Sequence, residues 1–264
     1  MEWTDLHAHR AAPGCAALFP ALGFATPWRR LQRLWLPPGG AVELASEASG
    51  SEHGLLLLDG TLVCATARAG AAGTSAELTA APAWLVGRFG PTLDVRNCGS
   101  EPAVALHVEV AGGQENGGLC AALGSFDRRA LAWRDAIHGG RGRLATRHVL
   151  PPDRFASAWT YLDHTVLGAD SSLGLHYHDA LEECFVVLQG RGYMTMAART
   201  RAVGPGTVTL QRIGTPHGLY CPGPGELEFI RVAVALPDDR PTTVDLGDDL
   251  RDRRPPEEQA AASA

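Results

Sequence analysis

Two histidines stand two residues apart in Gly174-Leu175-His176-Tyr177-His178, and a pair of glutamates, Glu182-Glu183, follows closely. Side chains alternate along an extended segment, so His176 and His178 project from one face of a strand. Glu183 opens an apolar run, Cys184 to Leu188, that ends at Gln189-Gly190, as a buried strand ending in a tight turn would. A short turn between the two segments would bring the carboxylate back beside the imidazoles. A third imidazole, His217, lies in Gly214-Thr215-Pro216-His217-Gly218. Three imidazoles and one carboxylate that converge make a site for one divalent first-row transition metal ion. Fe, Mn, Ni, Co, Cu and Zn all accept such donors. Four protein donors on a six-coordinate ion leave about two positions for substrate, water or O2.

Glu182 and Glu183 compete for the carboxylate role. With Glu183 as the donor, Phe185 and Val187 share its face, and Cys184 lies on the opposite one. Glu182 then faces outward or orients a histidine from behind. Candidates for contact with substrate are Tyr161 and His164, with Asp163, on the strand leading into the site, Tyr177 between the two histidines, and Tyr193 and Arg231 on later strands. Serine nucleophile elbows and phosphate-binding glycine loops are absent, and Gly112-Gly113 and Gly117-Gly118 precede no βαβ pattern.

The elements that must position these residues are short strands. Apolar runs broken by Gly and Pro turns occupy residues 28–110: Leu31 to Leu36, Ala41 to Ala45, Leu55 to Leu58, Leu62 to Ala65, Trp84 to Val86 and Val104 to Val110. A second set occupies residues 147–237: Trp159 to Leu167, Gly174 to His178, Glu183 to Leu188, Tyr193 to Met196, Thr207 to Arg212 and Leu227 to Ala235. Between them, Phe126, Ala130, Trp133 and Ile137 fall at i, i+4, i+7 and i+11. That spacing predicts a short helix capped by Ser125 and stopped by Gly139-Gly140, within a linker spanning 111–146. Residues 1–27 read as an N-terminal arm, whose His7-Ala8-His9 has Gly14 where a carboxylate would be needed. Residues 238–264 are acidic and rich in Pro and Ala, and are expected to be a docked strap at most, then a disordered tail.

The two β units read as copies of each other. Setting Glu183 opposite His53 makes Gly190 coincide with Gly60. His176 then falls opposite Ser46 and His178 opposite Ala48. With short gaps, Gly206-Thr207 meets Gly73-Thr74 and Pro216-His217 meets Pro82-Ala83. The first copy keeps the strand frame and none of the three histidines, and His53 reads as structural or pocket-lining.

The run H-x-H-x4-E-x6-G, matched by His176, His178, Glu183 and Gly190, resembles the first motif of the cupin superfamily. Gly206 to His217 resembles the second, with Arg212 where proline is usual, and Asp170 and Cys221 also depart from the pattern. The resemblance implies an all-β chain, two small antiparallel jelly-roll barrels joined by the helical linker. It makes the chain a bicupin with a degenerate N-terminal barrel and a metal ion on His176, His178, Glu183 and His217. It favours Glu183 over Glu182 as the ligand. Many relatives dimerise, so a homodimer is the assembly it implies.

Composition bounds the function. The formal charge is -6, with every fixed positive charge an arginine, so no basic field invites nucleic acid or anionic membrane. The absence of lysine excludes a Schiff-base or P-loop lysine. Six scattered cysteines without a C-x-x-C are expected to be free thiols. The N-terminus shows no signal peptide, and apolar runs fall short of the ~20 residues of a membrane span, so the expected setting is cytoplasmic. The leading reading is a mononuclear metal enzyme acting on a small polar metabolite, with Fe(II)-dependent dioxygenase or oxygenase chemistry first. Isomerase, decarboxylase and lyase chemistry need the same ligands, and a non-catalytic small-molecule binder is the reading from another class.

Overall fold

The computed structural model describes residues 3–7, 13–20, 23–47, 50–66, 75–79, 81–112 and 121–255. The His9 half of the N-terminal H-x-H, the glycines 113, 117 and 118, Cys120 and residues 256–264 of the tail lie outside them. The chain forms two units: residues 6–126 with 151–160, and Asp127–Leu150 with Tyr161–Ala264 joined by residues 3–5. Seventeen strand pairings among the described residues are antiparallel.

In the first unit, a six-stranded sheet runs Ala121–Ser125, Ala83–Gly87, Glu52–Asp59, Ala103–Val110, Trp28–Leu36, Gly14–Ala17. A four-stranded sheet runs Ala41–Ala45, Thr92–Arg96, Leu62–Ala65, Ser75–Leu78. Leu34, Leu55, Leu57, Leu85 and Val95 fill the space between the sheets. Each buried leucine contributes about 1.5–3 kcal/mol.

In the second unit, a seven-stranded sheet runs Trp3–Asp5, Thr207–Gln211, Leu181–Gln189, Leu227–Ala235, Trp159–Leu167, Arg143–Leu150, Ala132–Asp135. Its five-stranded partner runs Arg199–Val203, Gly192–Met196, His217–Cys221, Ser171–His178, Thr243–Asp245. Phe185, Val187, Met194, Met196, Leu219 and Phe229 form its core. Alternation from Phe185 therefore carries Glu183 inward, as expected, and puts Cys184 on the other face. The N-terminal segment supplies an edge strand to each unit, through Trp3–Asp5 and Gly14–Ala17.

The predicted linker helix does not form. Asp127 accepts the Arg129 N–H and caps a single 3-10 turn, Arg128–Ala130, after which Leu131 is extended. Ala132–Asp135 is then a strand, with Ala132 opposite Thr146 and Asp135 opposite Arg143. Phe126 is buried while Ala130 and Trp133 are exposed, so the helical spacing marks no common face. A strand edge available to Ala132–Asp135, and the Arg143 guanidinium 4.6 Å over the Trp133 ring, outweigh local helix propensity. The five described cysteines, Cys15, Cys64, Cys98, Cys184 and Cys221, are free thiols. No helix of the described residues is long and apolar enough to cross a membrane.

The repeat holds from Glu183 and His53 to Gly190 and Gly60, and shifts on either side. Gly60 and Gly190 both turn with positive φ, at 82° and 87°. A Cβ at Gly190 would sit 2.0 Å from the Glu226 carbonyl oxygen. Glu183 pairs with Gln211 and Ala233, and His53 pairs with Gly87 and Glu109, so Ala83–Gly87 is the counterpart of Thr207–Gln211. Met194 lies opposite Leu219, as Cys64 lies opposite Val95, which puts Leu93 in the place of His217 rather than Ala83. His176 lies opposite His217 and Leu44 opposite Leu93, so Leu44 occupies the place of His176 and Ser46 that of His178. The first copy carries a longer stretch, 66–74, between its turn and its second-motif strand, and the Gly-Thr pair there imitates the later one.

Candidate metal centre

The donors His176, His178, Glu183 and His217 come from three strands of the second unit. Ligand atoms of all four lie within 4.8 Å of one another, and all four side chains are buried. The turn before His217 is tied to the H-x-H strand, since the Gly214 N–H donates to the His178 carbonyl at 2.8 Å. Gly174 lets the segment between Ala132–Asp135 and Arg143–Leu150 lie directly on that strand, because a Cβ there would meet the His138 carbonyl oxygen at 2.0 Å.

The outer nitrogens of all three rings are committed. Nδ1 of His176 lies 2.8 Å from the Gly174 carbonyl, and Nδ1 of His217 lies 2.8 Å from the Thr215 carbonyl. Nδ1 of His178 lies 3.0 Å from the Thr243 hydroxyl. The inner nitrogens face one another and Glu183, whose Oε2 is 3.1 Å from His217 Nε2 and 3.5 Å from His178 Nε2. Nε2 of His176 and of His178 is buried with no hydrogen-bond partner. A buried polar atom without a partner is costly, and two lone pairs beside a carboxylate match what a divalent cation takes. The residues fit the ion.

Electrostatics bear this out. Burial alone would raise the Glu183 pKa, but the His178 and His217 rings and the Arg231 charge hold it well below the usual carboxylate range. Burial, with the neighbouring His217 and His138, pushes His176 well below its ordinary value. The set therefore presents an anion at Glu183 and a neutral ring at His176.

Around Glu183 lies a network in which Tyr161, Asp163 and Arg231 take part. The Tyr161 hydroxyl donates to Glu183 Oε1 at 2.8 Å. Burial and the Glu183 charge raise its pKa well above the ordinary value, so it keeps its proton. Arg231 donates to Asp163 at 2.6 Å and reaches Glu183 Oε1 at 3.6 Å. Asp163 is also 2.5 Å from Nδ1 of the largely exposed His148. Despite burial, Asp163 and Glu183 keep Arg231 above its ordinary value. Glu182 is fully buried and pairs with Arg212 at 2.6 Å, which gives the residue standing in place of the usual proline a partner.

Of the other candidates, the structure brings Tyr161 and Arg231 to Glu183, and Asp163 to Arg231. His164 is on the opposite face of its strand from Tyr161 and Asp163 and pairs with Glu228 at 2.7 Å. Tyr177 points away from the face shared by His176 and His178. Tyr193 packs with Tyr220, ring centroids 6.3 Å apart, beneath the Arg254 guanidinium. Three residues near the site escaped the sequence reading: His138, whose ring stacks 4.1 Å from that of His176, Asp245, 2.9 Å from His138 Nδ1, and Thr243. Their signal is weak in sequence, because each acts through a pairing with a distant segment.

In the first unit, Leu44, Ser46, His53 and Leu93 occupy the four donor positions. Ser46 Oγ lies 2.8 Å from His53 Nε2, and His53 Nδ1 lies 3.1 Å from Nε2 of His107, which stands where the other unit has Arg231. Two buried leucines replace two imidazoles, so this set lacks the donors for an ion.

Residues 164–233 match the family model described as Cupin domain. The oxalate-binding protein of Thermotoga maritima is 26% identical over 100 residues, 38% of this chain and 83% of that protein. Solved structures with similar folds include a Pseudomonas aeruginosa protein described as glyoxylate-induced, with a TM-score of 0.66 and 15% identity over 86% of this chain and 81% of that one. A point variant of Bacillus subtilis oxalate decarboxylase gives 0.62 and 13%, covering 100% and 84%. A variant of salicylate 1,2-dioxygenase from Pseudoaminobacter salicylatoxidans gives 0.63 and 12%, covering 83% and 76%. At these identities the structural likeness concerns the fold.

Proposed function

With residues 164–233 a cupin domain inside a chain of two β units, we propose a mononuclear metal-dependent enzyme that acts on a small carboxylate bearing a second oxygen donor. The observation that carries this reading is the pair of buried, partnerless Nε2 atoms on His176 and His178 beside the ionised Glu183. His176, His178, Glu183 and His217 would hold the ion. Bound there, a divalent ion would supply Lewis acidity and, if it is Fe(II), access to O2. The protein's part is to keep the Glu183 carboxylate ionised, through Tyr161 and Arg231, and to hold a proton on the Tyr161 hydroxyl at the edge of the site. Leu181, Ala233 and Ala235 pack with Tyr161 in an apolar cluster.

An ion held by four protein donors would have room for a chelating substrate, or substrate with O2, and Fe(II)-dependent oxidation is the leading chemistry. The names of the similar proteins, oxalate, glyoxylate and salicylate, share a small carboxylate. Decarboxylation is the second reading, favoured by the whole-chain likeness to oxalate decarboxylase. Purified protein loaded with Fe(II) or Mn(II) and given oxalate, glyoxylate or salicylate separates them. O2 uptake in step with substrate loss, abolished by His217→Ala, is the expected result. CO2 release without net O2 uptake would replace oxidation by decarboxylation, and binding without turnover would replace both by a binding protein.

A further inference from the structure

Near the chain end, Thr243–Asp245 pairs antiparallel with the three residues that carry the H-x-H pair. His176 lies opposite Asp245, Tyr177 opposite Val244 and His178 opposite Thr243. Resting on the metal reading above, we propose that this strap is a working part of the metal centre. Thr243 sets the tautomer of His178, and Asp245 holds the ring of His176 through His138, so strap docking and metal affinity are coupled.

An imidazole that ligates through Nε2 must carry its proton on Nδ1 and donate it outward. For His176 and His217 the outward partners are the carbonyls of Gly174 and Thr215. A carbonyl only accepts, so Nδ1 of each of those rings carries a proton; Nε2 of His176 is left free and Nε2 of His217 faces Glu183 Oε2, 3.1 Å away. His178 differs, because its partner is the Thr243 hydroxyl, which can accept or donate. When Thr243 accepts, Nε2 of His178 has a lone pair for an ion. When Thr243 donates, Nε2 carries the proton and turns to Glu183 Oε2, 3.5 Å away. A metal ion selects the first arrangement, and the selection is felt at the strap.

The second contact works on His176. The His138 ring lies over it at 4.1 Å with 23° between planes, and His138 Nδ1 is 2.9 Å from Asp245 Oδ1. His138 is left-handed, φ 56°, a conformation a non-glycine side chain keeps only when its surroundings impose it. The strap itself is exposed along all three residues. Its flanks hold it: Thr242 donates its N–H and hydroxyl to Asp179 at 2.7 and 2.6 Å, and the Leu246 N–H donates to the Leu175 carbonyl at 2.9 Å. A short exposed segment of this kind opens locally with little loss. Whatever its docking adds to metal affinity, the metal adds to its docking.

Thr243→Val keeps the β-branched shape and removes the hydroxyl, while Thr243→Ser keeps the hydroxyl. Mn(II) affinity of the full-length protein, by competition with a fluorescent chelator, should fall about tenfold or more in the valine variant and return in the serine variant. Mn(II) should also slow hydrogen exchange across residues 242–250, and do so less in the valine variant. Should the valine variant fail to fold, Asp245→Asn tests the same coupling through His138, with weaker Mn(II) binding expected. Equal Mn(II) affinity in wild type and the folded variant, with strap exchange indifferent to Mn(II), overturns the coupling alone. A wild-type protein that binds neither Mn(II), Fe(II) nor Zn(II) overturns the metal reading instead, before any variant is made.

Discussion

Replacing Arg231 by methionine removes the cation between two buried carboxylates and should destabilise the metal-free C-terminal unit by about 3 kcal/mol. The guanidinium is 2.6 Å from Asp163 and 3.6 Å from Glu183, and both acids are buried. At an effective dielectric of about 20, unit charges at these distances attract by about 5–6 kcal/mol each. Desolvating the guanidinium offsets much of that, so the net worth of the pairs is smaller. What decides the outcome is the state left behind, with methionine filling the space and two carboxylates short of donors. Removing one partner of a buried pair costs about 3–5 kcal/mol. Asp163 keeps His148, and Glu183 keeps Tyr161 and two imidazoles, which puts the loss at the lower end. Denaturant unfolding, with the slope unchanged, measures it. Adding a divalent ion should shrink the loss, because the ion compensates Glu183 in place of Arg231. A loss under about 1 kcal/mol at unchanged slope would refute the view that Arg231 compensates these acids.

Two further outcomes concern the first unit. Burial, followed by the Arg30 charge, lowers His53 to about 4, and burial with His53 and Arg30 lowers His107 to about 3. Above pH 6.5 neither state binds these protons; below it the unfolded chain takes up protons that the folded one refuses. Stability should therefore fall from about pH 6.5 toward 4, by up to about 1.4 kcal/mol per pH unit for each histidine. Urea melts at stepped pH should show this slope, and a His53→Gln, His107→Gln variant should flatten it; an equally steep wild type and variant would contradict it. Leu93→Ala should cost about 2–5 kcal/mol through the cavity it leaves and leave metal stoichiometry unchanged; a change in bound metal would mean the first unit holds a donor after all.

The convergence of His176, His178, Glu183 and His217 was legible because most of its information is local. Alternation fixed the shared face of His176 and His178, and the short turn at Asp179-Ala180 returns Glu183 to them, on a strand whose far end Gly190 marks. Arg231 could be flagged but not placed, since its role depends on which face of a late strand it occupies. His164 illustrates the same limit from the other side: one residue from Asp163, it faces the opposite way. The helix predicted through Phe126 and Trp133 failed because strand pairing with Arg143–Leu150 is a tertiary gain that periodicity does not register. Thr243 and Asp245 were hidden in a stretch whose acidic composition reads as tail, although its pairing with His176 and His178 spans more than sixty residues of sequence. The misplaced half of the repeat has a sequence origin: Gly73-Thr74, outside the described residues, resembles Gly206-Thr207.

Elemental analysis of protein purified without added metal tests the central claim most directly. One transition metal ion per chain, retained by the wild type and lost in both His176→Ala and His217→Ala variants that still fold, is the expected result. A folded wild type without metal, whose stability is indifferent to a chelator, would contradict it.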